Sequence, residues 1–187
     1  EFHHMLTATS AENVKFCLDA HWVFRGCGDS QVALFDALEL HGSRIVELHL
    51  HPLGAPLRFW PGQYVTLGDA DAGIAPRSYS IACAPRTDGE IVLQVTRVDG
   101  GATSTWIHEQ VPIGARIKVS GPYGTFIGDP STETPVLCLA AGSGLAPILS
   151  LTDGALRRGF KQPVTLMFSA RERADLYAEG LMAFWQS

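Results

Sequence analysis

Val136-Leu137-Cys138-Leu139-Ala140-Ala141-Gly142-Ser143-Gly144-Leu145-Ala146-Pro147 is the stretch on which the fold turns. Its six leading apolar residues run without a break, as in a strand buried on both faces. Two glycines and a proline then lead into a helical pattern that lasts to about Arg158. Strand, glycine loop and helix in that order make nucleotide-loop geometry. Proline replaces the third glycine of the usual dinucleotide fingerprint, and no acidic residue follows about twenty positions on, so that fingerprint is not met. Val164 to Phe168 reads as a second apolar strand and Leu176 to Trp185 as a second helix. Together they predict a parallel α/β sheet.

Upstream lies a polar, proline-bounded linker, Pro130 to Pro135, and before it the pattern is that of short strands. From Arg44 to Leu50, Val46, Leu48 and Leu50 face one way and Glu47 and His49 the other, which predicts a solvent-facing His49. Val65 and Leu67 alternate with Tyr64 and Thr66. Ile91, Leu93 and Val95 alternate with Val92, Gln94 and Thr96. Ile117 and Val119 alternate with Arg116 and Lys118. Turn signals such as Thr87-Asp88-Gly89 separate these runs, which predicts an antiparallel barrel or sandwich. Thr103 to Gln110 reads as a short helix after Gly100-Gly101. The chain therefore divides into a β domain over 31–132 and an α/β domain over 133–187. Residues 1–30 have no clear period. Within them, Glu1 to Met5 reads as a cloning scar with part of a histidine tag.

Composition narrows the classes. In 187 residues, 46% are hydrophobic, enough for one sizeable core or two small ones. Nineteen Gly and eleven Pro favour tight turns and short strands. The net charge is −5 with no long basic run, so no nucleic-acid partner is expected. Cys17, Cys27, Cys83 and Cys138 fit no zinc, disulfide or plant-type ferredoxin spacing, and no metal site is expected. They read as packed thiols. No signal peptide or membrane span is visible, and a cytoplasmic location is the default.

Several short pieces carry chemistry. Arg77-Ser78-Tyr79-Ser80 follows a proline and reads as the end of a loop. Arginine can grip phosphate with two hydrogen bonds, tyrosine offers a flat face, and serine can bond a ring nitrogen. Alone, the piece is weak, because an edge strand with an exposed arginine reads the same. Gly100-Gly101-Ala102-Thr103-Ser104 permits a close backbone approach and opens a helix whose free amides favour phosphate. A simple cap by Thr103 or Ser104 fits equally well. Gly121-Pro122-Tyr123-Gly124-Thr125-Phe126 reads as a turn after a strand. His108 reads as a surface helix histidine.

In order, the chain shows Pro61-Gly62-Gln63-Tyr64, the Arg77 tetrapeptide, the Gly100 segment, the Gly121 segment and the Gly142 loop. From about Gln31 to the end, this order resembles the ferredoxin–NADP reductase family. The likeness is greatest to the reductase components of bacterial ring-hydroxylating oxygenases and monooxygenases. The resemblance implies a six-stranded antiparallel Greek-key barrel that binds FAD, followed by an NAD(P)-binding α/β domain. It places Arg77 and Ser78 at the flavin, with Arg77 on the pyrophosphate. Tyr79 would stack on the flavin ring and Ser80 would lie near its reacting nitrogen, which makes these two the catalytic pair. Ile81 and Ala82 would give backbone contacts. Gly100, Gly101, Ala102, Thr103 and Ser104 would hold the pyrophosphate, and Gly142, Gly144 and Pro147 the nicotinamide nucleotide.

The implied reaction takes a hydride from NADH, with NADPH as the alternative, and passes electrons to a ferredoxin, a 2Fe–2S domain or an oxygenase component. Ser169, Arg171 and Arg173 lie where a ribose 2′-phosphate would sit in NADPH-preferring members. Cys83 is expected to pack rather than react. The sequence also departs from the family. The family pattern runs on past Ser187 with further strands, so the second domain is expected to be truncated, with apolar sheet surface exposed. That leaves a second reading, a flavin-binding module or redox sensor without complete reductase activity.

Overall fold

The computed structural model describes residues 47–129, 131, 133–169 and 176–186. The tag-like His3 and His4, Cys17, Cys27, residues 44–46, Arg171 and Arg173 lie outside them.

The β region contains β1 (Glu47–Leu50), β2 (Tyr64–Asp69), β3 (Ile74–Ser80), β4 (Ile91–Gln94) and β5 (Val119–Tyr123), with α1 (Ala102–Glu109) between the last two strands. β1 pairs antiparallel with β4, and β2 pairs antiparallel with both β3 and β5. An antiparallel bridge between Ile81 and Leu93 joins the two sets, and the Ala82 N–H donates to the Val92 carbonyl at 2.8 Å. Alternation sets the inward side as expected. Val65 and Leu67 are fully buried, and with Phe59, Ile81, Ile91, Leu93 and Val95 they form the core of this region. Leu48 and Leu50 of β1 pack onto that core.

The expected strand over Arg116 to Val119 instead starts at Val119 and takes in Gly121, Pro122 and Tyr123. Cross-strand pairing overrides the turn signal. Tyr123 lies opposite Tyr64, with ring centroids 5.7 Å apart.

β6 (Val136–Ala141), a single 3-10 turn at Gly142–Gly144, α2 (Leu145–Arg157), β7 (Val164–Ser169) and α3 (Glu179–Gln186) follow. β6 and β7 are parallel and in register from Val136 with Val164 to Ala141 with Ser169. Cys138 and Ala140 turn under α2 to meet Leu145, Ile148 and Leu149. Leu137, Leu139 and Met167 alternate to the other face and are 60%, 65% and 59% exposed. The last helix starts at Glu179 rather than at Leu176. Before it, Tyr177 packs edge-on to Phe168 and donates its hydroxyl to the Gly142 carbonyl. No described helix is long and apolar enough to cross a membrane.

The two regions touch through α2. Ser150, fully buried, donates from Oγ to the Cys83 carbonyl at 2.6 Å and accepts from the Gly62 N–H at 3.3 Å. Asp153 accepts from the Ala84 N–H at 3.1 Å. Gly154 lets Pro61 approach, since a Cβ there would stand 2.7 Å from the proline ring.

His49 does not face solvent. Its side chain is 13% exposed, with Nδ1 3.1 Å from Glu90 and Nε2 3.5 Å from Glu47. Glu90, nearly buried, also meets His51 and Arg86. A buried carboxylate needs such partners, and β1 brings them. Burial alone would lower the His49 pKa, but the hydrogen bonds and charges of Glu47 and Glu90 outweigh it and raise it above 6.5. The charged imidazole is therefore favoured in the fold. Its contribution is complete below the unfolded value and is lost as pH rises through the folded one. Thermal melting should show stability falling as pH is raised from about 6 to 8, a span that brackets the ordinary histidine pKa. His49→Gln should flatten that slope. An unchanged slope would mean that His49 does not carry the pH dependence.

Candidate functional site

Arg77, Ser78, Tyr79 and Ser80 lie within β3 rather than at the end of a loop. Pairing with β2 explains the difference, since Leu67, Thr66, Val65 and Tyr64 stand opposite them in turn. Strand alternation puts Arg77 and Tyr79 on one side of the sheet and Ser78 and Ser80 on the other. Arg77 and Ser78 are exposed, Tyr79 and Ser80 half-buried, and Ile81 and Ala82 buried. Tyr79 rests against the core cluster. Burial raises its phenol pKa while the nearby Arg77 charge pulls it down, so the hydroxyl stays protonated near neutrality. Arg77 makes no ion pair among the described residues.

α1 begins beside this strand. The Thr103 hydroxyl donates to the Ala75 carbonyl at 2.8 Å, which pins the first helical turn two residues before Arg77. Ser104 closes the preceding loop, accepting from the Val98 N–H and donating to the Gly101 carbonyl, both at 3.1 Å. Both hydroxyls are therefore committed to the fold. Gly101 is the N-cap residue, and no side chain caps the helix. Gly100 has φ +71 and open space where a Cβ would be. An arginine without an ion pair among the described residues, on the strand tied to an uncapped helix start, is suited to phosphate through charge, dipole and backbone N–H groups together. Tyr79 adds a half-exposed ring next to them. These residues fit a flavin dinucleotide.

At the second loop, Gly142 has φ +52, and a Cβ on Gly142 or Gly144 would meet nothing within 4 Å. The loop joins the carboxyl end of β6 to α2, which has no side-chain cap. Pro147, in the first helical turn, lacks only an N–H that has no intrahelical partner. The carboxyl ends of parallel strands are where α/β sheets bind ligands. Tyr177 was not singled out by sequence. Its hydroxyl donates to the Gly142 carbonyl at 2.9 Å, and burial pushes its pKa up to about 12.

Cys83 and His108 also find structural roles. The Cys83 sulfur accepts from the Val92 N–H at 3.3 Å, and burial pushes the thiol up to about 11, so it stays protonated and unreactive. His108 is half-buried rather than a surface residue, with Nε2 2.9 Å from the Val95 carbonyl.

Residues 37–127 match the family model of the oxidoreductase FAD-binding domain. Over that stretch, just under half of the chain, it is similar to oxidoreductase FAD-binding domains. Two curated relatives extend the likeness. Against the ferredoxin–NAD(P)(+) reductase component of the naphthalene 1,2-dioxygenase/salicylate 5-hydroxylase systems of Ralstonia sp, identity is 39% over 127 residues, 68% of this chain and 38% of that protein. Against the phenol 2-monooxygenase reductase component DmpP of Pseudomonas sp. (strain CF600), it is 40% over 131 residues, 70% of this chain and 36% of that protein. Among solved structures, the Amycolatopsis cytochrome P450 reductase GcoB matches with a TM-score of 0.67 and 35% identity, over 74% of this chain and 42% of that one. The ferredoxin reductase in carbazole 1,9a-dioxygenase matches with a TM-score of 0.66 and 28% identity, over 73% and 41%. The chain thus spans about two fifths of the length of these relatives. The FAD-binding match ends at residue 127, before β6, so the Gly142 loop lies beyond it.

Proposed function

We propose that this chain binds FAD and serves as the flavin-bearing part of an NAD(P)H-dependent oxidoreductase that delivers electrons to an iron–sulfur protein or an oxygenase component. The observation that carries this reading is the exposed Arg77, without an ion pair among the described residues, on the strand that Thr103 ties to the start of α1, within the FAD-binding match. The names of the relatives point the same way, since they are reductase components of oxygenase and monooxygenase systems.

In this reading the barrel domain covers 31–132 and is a six-stranded Greek key, and 133–187 is a partial nucleotide-binding domain after an extension at 1–30. Arg77 binds the pyrophosphate together with the amides of Ala102, Thr103 and Ser104, and Gly100 and Gly101 permit the close approach. Tyr79 supplies the stacking face and holds its proton. Ser78 and Ser80 offer hydroxyls, and the Ile81–Ala82 backbone fixes the end of β3. Gly142, Gly144 and Pro147 shape the nucleotide loop. When bound, the flavin supplies the change from two-electron acceptance to one-electron delivery. NADH is the proposed donor and NADPH the alternative. A cytoplasmic location belongs to the same proposal.

The exposed Leu137, Leu139 and Met167 favour a second reading, a flavin module without complete reductase activity in this chain. A visible spectrum with anaerobic NADH addition separates the two. Flavin bands near ~450 nm that bleach support the reductase. Bands that persist support the module. A colourless protein that takes up no added FAD would defeat both.

A further inference from the structure

A cavity of ≈ 500 Å³ opens where the turn before β2 meets the end of α2. Its barrel wall includes Arg58, Trp60, Pro61 and Pro85, and α2 contributes Arg157 and Arg158. None of the residues assigned above to the flavin or the nucleotide loop lines it.

Three arginines line this cavity in a chain of net charge −5. Arg157 is neutralised by Asp153, its Nε 2.9 Å from both carboxylate oxygens. Arg58 and Arg158 form no ion pair among the described residues. The negative end of the helix dipole accounts for Arg158 at the foot of α2. It does not account for Arg58, which comes from the barrel side and brings a second positive charge to the same cavity.

Trp60 is the other feature the fold does not use. It is 61% exposed although Phe59 is 8% exposed and Pro61 is buried. An open indole and two proline rings give flat apolar walls, and the unpaired guanidiniums give a planar, two-pronged anion grip. Pockets of this volume, apolar with a few charged groups, are of small-molecule size.

We propose that this cavity binds a small planar organic anion, of which an aromatic carboxylate is the simplest form. The ring lies against Trp60 and the prolines, and the carboxylate meets Arg58 and Arg158. Because the walls come from both regions, the bound anion also braces the contact made by Ser150 and Asp153. The proposal does not depend on flavin binding.

Calorimetric titration of the whole chain with cinnamate, cyclohexanecarboxylate and inorganic phosphate tests it. Cyclohexanecarboxylate keeps the charge without the flat ring, and phosphate keeps charge alone. Saturable cinnamate binding below ~1 mM is expected, with the other two at least about tenfold weaker. Arg58→Ala/Arg158→Ala and Trp60→Leu should each weaken cinnamate about tenfold or more. Arg116→Ala, an exposed arginine elsewhere, should leave it unchanged. Flavin uptake, read in the same samples, should be unaffected by all of these. Phosphate binding as well as cinnamate would reduce the cavity to a patch of charge and overturn the proposal. So would cinnamate binding that ignores the arginine variants, or no saturable binding.

Discussion

Arg77→Ala is expected to weaken FAD binding by about 10- to 100-fold while leaving the fold intact. A charge-assisted hydrogen bond to a phosphate contributes about 1.5–3 kcal/mol, and each 1.4 kcal/mol is a tenfold change in affinity. Arg77 is exposed and unpaired, so its removal breaks no ion pair among the described residues. Tyr79→Ala should cost about tenfold through the lost ring face. Tyr79→Phe, which keeps the ring, should stay within about threefold. Titration of the flavin-free protein with FAD, followed by flavin fluorescence, gives the constants, and thermal melting checks the fold. Tyr79 needs that check because it also packs on the core. If Arg77→Ala and Tyr79→Ala both keep full occupancy at stoichiometric FAD, the site assignment is wrong.

Gly62→Ala is expected to cost about 3–5 kcal/mol, a large part of the ~5–15 kcal/mol that holds a domain together. Gly62 has φ +94, and a Cβ there would lie 1.9 Å from the Phe126 carbonyl oxygen. The backbone conformation alone costs an L-residue about 1–2 kcal/mol. The overlap adds more, because the clashing atom belongs to the backbone and cannot swing away. Moving it disturbs Gly124, whose carbonyl accepts from Gln63, and the Gly62 N–H that donates to Ser150. Gly73→Ala is the control. Its φ is +70 but nothing lies within 4 Å, so about 1–2 kcal/mol is expected. Denaturant unfolding of the two variants measures the difference. Equal losses would show that the approach of residue 126 to residue 62 is not a constraint.

Strict alternation was legible in β2 because one of its sides is buried, whereas β4 buries Ile91, Val92 and Leu93 together. Val65 and Leu67 declared the inside of β2. The apolar run before Gly142 declared a parallel strand because both its faces were apolar. The sequence misled where a side chain's partner is distant along the chain. His49 alternates outward but is claimed by Glu90, 41 positions away. The Gly121 segment has every mark of a turn but pairs with β2. Thr103 and Ser104 read equally well as caps or as phosphate ligands. In the structure Thr103 holds β3 and Ser104 closes its own loop.

The order of the motifs resembles an FAD-binding family, and by itself the sequence determined the alternating strands, the helices after Gly101 and Gly144, and the change from antiparallel to parallel pattern after residue 135. These follow from local periodicity and from backbone positions that only glycine or proline suits. Tertiary structure alone decided that Thr103 ties the start of α1 to β3 at Ala75, that Ser150 and Asp153 join α2 to the β region, and that three arginines and Trp60 line one cavity. Each of these depends on pairing between segments far apart in the chain. Periodicity tells which side of a segment is buried, and only the packed fold tells what it is buried against.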